Sequence, residues 1–133
     1  MFSAHLDTVF PAGTDLTINE KDGKLMAPDI GDDTRGLAEI IAMVQTMQHG
    51  QLKTVGDIWF VGTVGEEGLG DLRGVKALLR DHPDVDGFVS IDGFLPERIT
   101  YIAVGSHRFR VTFKGPGGHC FSAFGLPTGT ARP

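Results

Sequence analysis

The chain has a single cysteine, Cys120, so no intrachain disulfide can form and nothing in it calls for an oxidising compartment. That lone thiol reads as a small buried hydrophobe sooner than as a nucleophile. Long apolar runs are also missing: no stretch is long enough to span a bilayer, and the first residues lack the basic and then apolar layout of a signal peptide. The cytoplasm is the expected location, with no membrane partner. Basic charge is scarce, with 12 Lys and Arg against 17 Asp and Glu, a formal net charge of −5 and a pI near 5.4. This balance argues against nucleic acid as a partner, which wants a basic face, and suits a site that gathers cations. Internal repeats and low-complexity tracts are absent. At 133 residues there is room for one domain, able to fold unaided if its sheet is complete.

What is present is organised around residues 56–70, GDIWFVGTVGEEGLG. Residues 58–64 form an apolar run rich in β-branched and aromatic side chains, which predicts a buried strand emptying into glycine and two adjacent glutamates. Where a strand dissolves into a Gly-rich turn, both carboxylates can swing toward one crevice, one to bind a cation and the other to handle a proton. The alternative is a solvated acidic turn.

Before this stretch, residues 1–6 predict a short strand holding His5, with Asp7 two positions on and on the same side if the strand persists. A carboxylate beside a histidine can accept its second ring N–H and leave the other nitrogen for a metal, although a lone His-X-Asp is equally an ordinary strand end. Residues 14–19 and 24–27 flank Glu20-Lys21-Asp22-Gly23, whose Asp-Gly predicts a hairpin. Residues 31–34 open a helix with Leu37, Ile40, Ile41, Val44 and Met47 at helical spacing, closed by Gly50. Asp32 and Asp33 at its mouth read as capping unless other ligands converge.

After the central strand, residues 71–81 predict a second helix with Leu72, Val75, Leu78 and Leu79 inward, and residues 86–91 a third strand running into Asp92-Gly93. Residues 99–104 and 109–113 predict two neighbouring strands, followed by the Gly-rich turn 114–119 that ends in His119. The order βαβαβ with a β-rich tail argues for an α/β fold with a mostly parallel sheet flanked by helices, and for the start of a second, smaller domain. The chain starts inside a strand-like FSAHLD and stops in the turn residues GLPTGTARP, so it reads as a piece of something longer.

His5, the pair Glu66 and Glu67, and Asp92 each follow a separate apolar strand, and Asp32 sits at a helix mouth. Parallel strands bring such ends to one sheet edge, where ligands of open α/β sheets lie. One imidazole and several carboxylates there match the preferences of zinc and similar dications. Coincidence at four positions is less expected than at one, which favours a metal site over scattered caps.

The ordered set SAHLDT, DIGDDTRGLA, GTVGEEGLGDLRG, SIDG and GSHRFRVTFKGPGGH resembles the co-catalytic di-zinc peptidases and amidohydrolases that include tripeptide aminopeptidase, carboxypeptidase G, aminoacylase and succinyl-diaminopimelate desuccinylase. The resemblance implies an incomplete zinc-peptidase-like catalytic domain at residues 1–98 and the first strands of a smaller α+β lid and dimerisation domain at 99–133. It implies two zinc ions per site, or cobalt or manganese in their place. His5 and Asp92 would bind one zinc, Asp32 would bridge both, and Glu67 would bind the second. Asp7 would orient His5, Glu66 would be the general base, and His119 would help bind substrate and stabilise the oxyanion. The implied reaction is attack of a metal-activated hydroxide on the amide of a peptide or N-acyl amino acid, in a homodimer if the lid is complete.

Two departures stand beside this resemblance. The strands that normally precede His-X-Asp, and the histidine that closes the second zinc near the carboxyl end, are not in the chain. The alternative is therefore a catalytically inactive fragment, acting as a metal-binding or dimer-interaction module. Asp92, where some members carry glutamate, leans toward the aminopeptidase and dipeptidase side. A phosphate-binding enzyme is a poor fit, since neither glycine loop has the lysine and hydroxyl of a P-loop and adjacent glutamates would repel phosphate.

Overall fold

The computed structural model describes residues 1–93, 97–112, 114–115 and 122, and its contacts fall into two units, Met1–Arg98 and Ile99–Pro133. The first unit is built on β1 (Phe2–His5), the middle strand of a parallel sheet with order β4, β1, β5. Parallel strands need crossovers, and the helices supply them. The chain runs from β1 through a hairpin of β2 (Asn19–Lys21) and β3 (Lys24–Met26) into α1 (Arg35–His49), then β4 (Phe60–Thr63), α2 (Arg73–Asp81) and β5 (Val89–Ser90). This is the α/β class with a parallel sheet that the strand and helix periodicities predict.

Register sets where the strands end. Phe2 pairs with Phe60 and His5 with Thr63 on one side, while Phe2 pairs with Val89 and Ser3 with Ser90 on the other. Flanking bonds lengthen both ladders: Leu6 N–H donates to the Thr63 carbonyl at 2.8 Å and Ile91 N–H to the Ser3 carbonyl at 2.8 Å. All three strands therefore stop at one edge, with His5, the turn after Thr63 and Asp92 at their exits. The Phe2 and Phe60 rings stack at 5.8 Å across the first pair.

Helix α1 packs on β1 and buries Gly36 and Ile40, while Leu37, Val44 and Met47 are half-buried; Ile41, predicted inward, is exposed. It starts at Arg35, four residues after the predicted opening at Gly31. Residues Ile30–Thr34 form an irregular turn in which Asp32 and Asp33 have non-helical backbone angles. The reason is local: the Asp33 side chain turns back to accept the Gly36 N–H at 3.1 Å, which ends the turn and starts the helix. Helix α2 is tied to the exit of β4 by Gly74 N–H donating to the Val64 carbonyl at 2.9 Å. Val75 and Leu78 are half-buried as predicted, whereas Leu72 and Leu79 are exposed. The Asp-Gly hairpin forms as an antiparallel pair with Lys21 opposite Lys24.

In the second unit, residues 99–104 and 109–112 form no β-strand, which corrects the two strands predicted at 99–104 and 109–113. Ile99, Tyr101, Ile102, Val104, Phe109 and Val111 are exposed there. Alternation gives a chain an apolar face, but a strand also needs a neighbouring edge that takes its N–H and C=O groups in register. Within this unit His107 stacks on Phe109 at 4.4 Å.

Candidate metal centre

The exits of the three strands carry the chemistry. His5, the last residue of β1, is 3% exposed. Its Nε2 lies 2.8 Å from Asp32 Oδ1, and its Nδ1 donates to the Asp7 backbone carbonyl at 2.8 Å. The Asp7 carboxylate, predicted to take that second ring N–H, stands 3.9 Å away and is committed elsewhere. Its Oδ1 accepts the backbone N–H groups of Gly65 at 2.8 Å and Glu66 at 3.3 Å, and its Oδ2 that of Glu67 at 3.0 Å. Asp7 thus holds the histidine with its main chain and the acidic turn with its side chain. Gly65 opens that turn with a φ of 78°, a conformation glycine adopts without a Cβ penalty.

Two groups of donor atoms form at this rim. One ligand atom each from His5, Asp32 and Glu67 lie within 4.8 Å of one another, as do ligand atoms of His5, Glu66 and Asp92. One imidazole with hard carboxylate oxygens is the donor set of zinc and related divalent ions, so these side chains fit such a cation. The geometry brings together His5, Asp32, Glu66, Glu67 and Asp92, with Asp7 behind them. His119 and residues 116–118 of its Gly-rich turn lie outside the described residues. Among the remaining histidines, the His49 Nδ1 donates to the Gln45 carbonyl at 2.7 Å and His82 meets the Trp59 ring edge-on at 4.7 Å.

The charges respond to one another as a cation site requires. Burial pulls the His5 pKa down, but the Asp32 hydrogen bond, the Asp7 carbonyl and the charges of Asp33 and Asp92 outweigh it and raise it from 6.5 to about 9. Glu66 is raised, first by desolvation and then by the charges of Asp92, Glu67 and Asp32, against the opposing pull of His5. Desolvation also acts to raise Asp7, yet the three N–H groups it accepts bring it below the ordinary aspartate value. The carboxylates around the ring thus favour the charged imidazolium, as they would favour a cation in its place.

Two supporting residues were not legible in the sequence. Asp33, read there only as a cap, is 1% exposed and joins two elements: its Oδ2 accepts the His5 backbone N–H at 2.9 Å and its Oδ1 the Gly36 N–H. A Cβ on Gly36 would stand 2.1 Å from Asp33 Oδ1, so only glycine fits beneath that carboxylate. Burial is the main reason the Asp33 carboxyl is raised. Arg35 donates from Nη2 to the Gly93 carbonyl and lies 3.2 Å from Glu39, which ties the loop after Asp92 to α1. The only sequence signal for either was their place in DDTRG.

A parallel α/β sheet whose rim gathers one histidine and four acids offers the donor set of a divalent-cation site. A protein-family model, peptidase family M20/M25/M40, matches residues 1–123, and the chain belongs to that family. Its members are peptidases and related hydrolases that generally use metal ions, so a peptide is the substrate class and hydrolysis the reaction class. A search of curated proteins returns no match. No helix among the described residues is long and apolar enough to cross a membrane.

Proposed function

We propose that the chain carries the metal centre of a zinc-dependent hydrolase that cleaves a peptide or N-acyl amide bond, with residues 1–98 as its catalytic part and 99–133 as the start of a lid that dimerises. The observation that supports this reading is that ligand atoms of His5, Asp32 and Glu67, and likewise of His5, Glu66 and Asp92, lie within 4.8 Å of one another although they come from four separate segments. His5 and Asp92 would hold one zinc, Asp32 would be shared, and Glu67 would hold the other. A bound dication there supplies a Lewis acid for the amide carbonyl and lowers the pKa of an attacking water.

The remaining work falls to the chain's own groups. His5 offers Nε2 only as the neutral imidazole, so it sheds the proton it shares with Asp32 when a cation arrives. Asp7 keeps the ring pointed through its carbonyl and fixes the Gly65 to Glu67 main chain, which aims two adjacent carboxylates at one place. Glu66, raised above the ordinary glutamate value by burial and the neighbouring acids, would accept the proton of the attacking water and return it to the leaving amine. His119 is assigned the oxyanion contact, and the cytoplasm the location, from the sequence alone.

The test is zinc stoichiometry by elemental analysis and calorimetry on the wild-type chain, on His5→Ala and on Glu66→Gln, with hydrolysis of a dipeptide panel read alongside. Zinc uptake lost in His5→Ala, and hydrolysis lost with zinc retained in Glu66→Gln, are the expected results. Failure of the wild-type chain to take up any zinc would overturn the reading.

A further inference from the structure

The pairing of β1 with β5 stops short of Asp92. Strand β5 is only Val89–Ser90, and the bond that extends its ladder runs from the Ile91 N–H to the Ser3 carbonyl at 2.8 Å. Asp92 is the next residue, and Gly93 after it turns the chain with a φ of 74°, in the region that favours glycine. A carboxylate just past the end of a ladder stays beside His5 and Glu66 only if the chain beyond it is also held.

Arg35 supplies that hold. It is the first residue of α1, and its Nη2 donates to the Gly93 carbonyl. Its Nε is buried and lies 3.2 Å from Glu39 Oε1, one helical turn on, so the guanidinium engages the helix through one nitrogen and the loop through another. A cation at the first position of a helix opposes the helix dipole, so helix formation does not account for this arginine. The other rim residues are held in the same manner with the sign reversed: the Asp7 carboxylate accepts the main-chain N–H groups of Gly65, Glu66 and Glu67, and the Asp33 carboxylate accepts that of His5.

We propose that Arg35 is the positioning residue of Asp92: by holding the Gly93 carbonyl against α1 it fixes the main chain on the far side of Asp92, and with it the place of the carboxylate beside His5 and Glu66. That Asp92 then binds a metal rests on the reading of the rim given above; the clamp on the main chain does not. Arginine suits the task because its planar fork serves two acceptors at once, whereas a lysine ammonium is a single point charge.

The test is Arg35→Met, with Arg35→Lys and Glu39→Gln beside it, read first by amide hydrogen exchange of the full metal-free chain. In Arg35→Met the Ile91 amide should exchange about tenfold faster, as expected when a charge-assisted bond near the end of a ladder is lost, while the Leu6 amide on the other side of β1 is unchanged. Arg35→Lys should restore part of that protection, and Glu39→Gln should lose part of it; these two milder changes decide the matter if Arg35→Met does not fold. The second readout is zinc affinity by calorimetry. It should fall about tenfold in Arg35→Met, and fall no further when the same change is made in Asp92→Asn, because the clamp acts through Asp92. An Ile91 amide that is unchanged in all three variants or speeds no more than Leu6, or an equal loss of zinc affinity with and without the Asp92 carboxylate, would overturn the proposal. The two claims separate: a wild-type chain that takes up no zinc but shows the exchange effect removes the hydrolase and leaves the clamp, whereas normal zinc uptake with unchanged exchange removes the clamp alone.

Discussion

At the strand exits the buried side chains are polar, whereas between residues 10 and 25 the large exposed side chains are apolar. Ser3, His5, Asp33 and Thr63 are buried at or beside the rim, and only Ala4 and Ile40 are buried hydrophobics among the described residues. Phe10, Leu16, Ile18 and Leu25 face solvent a short distance along the chain. The difference teaches that polarity alone does not sort this chain into inside and outside. A polar group stays buried at the rim where it is paired, as the His5 and Gly36 N–H groups are with Asp33, and the apolar side chains between residues 10 and 25 stay exposed because no described residue covers them.

The largest effect should come from breaking the buried pairing. Asp33→Ala leaves the N–H groups of His5 and Gly36 without acceptors, and at about 1–3 kcal/mol for each buried orphan it should cost on the order of 3 kcal/mol in urea unfolding. Asp33→Asn keeps one acceptor oxygen and should cost less. A loss below about 1 kcal/mol in Asp33→Ala would mean the rim does not depend on its buried pairs.

Next comes Asp7→Ala. Its carboxylate serves three N–H groups but is partly open to water, which can replace it, so about 1–2 kcal/mol is expected, together with weaker zinc binding as the Glu66 and Glu67 turn loosens. Zinc affinity equal to that of the wild type would show that the turn holds itself.

The pH dependence of the metal-free chain sharpens the same contrast. His5 is raised in the folded state from 6.5 to about 9, so its contribution to stability is fully present below about 6.5 and is lost as pH rises through about 9. Unfolding midpoints from pH 5.5 to 10 should fall over that window in the wild type and stay flatter in His5→Gln. Zinc affinity should run the other way and strengthen with pH, because only the neutral imidazole binds a cation.

The smallest effect belongs to the exposed apolar side chains. Leu16→Ser and Leu25→Ser alter side chains that already face solvent, so each should change stability by no more than about 0.5 kcal/mol. A loss near ~2 kcal/mol in either would show that the side chain is part of the core.

Much of the fold is legible in the sequence. Apolar runs mark β1, β4 and β5, helical spacing marks α1 and α2, and Asp22-Gly23 marks the hairpin, although the strands are shorter than the runs that announce them. The acids at strand exits are legible because a parallel sheet gathers the ends of successive strands. Residues 99–112 mislead because alternation records a face and not a partner. Asp33 and the side chain of Asp7 mislead for a related reason: their acceptors serve main-chain N–H groups 28 and 58 to 60 residues away, which no local pattern encodes.

By itself the sequence determined the order of strands and helices and placed an imidazole and several carboxylates at their ends, because side-chain periodicity and turn chemistry act over a few residues. Only the tertiary structure decided which acids face the rim and which hold the main chain. Asp32 meets the imidazole while Asp33, next to it, is sealed beneath β1, since a carboxylate's role depends on which N–H groups the folded chain brings within about 3 Å of it.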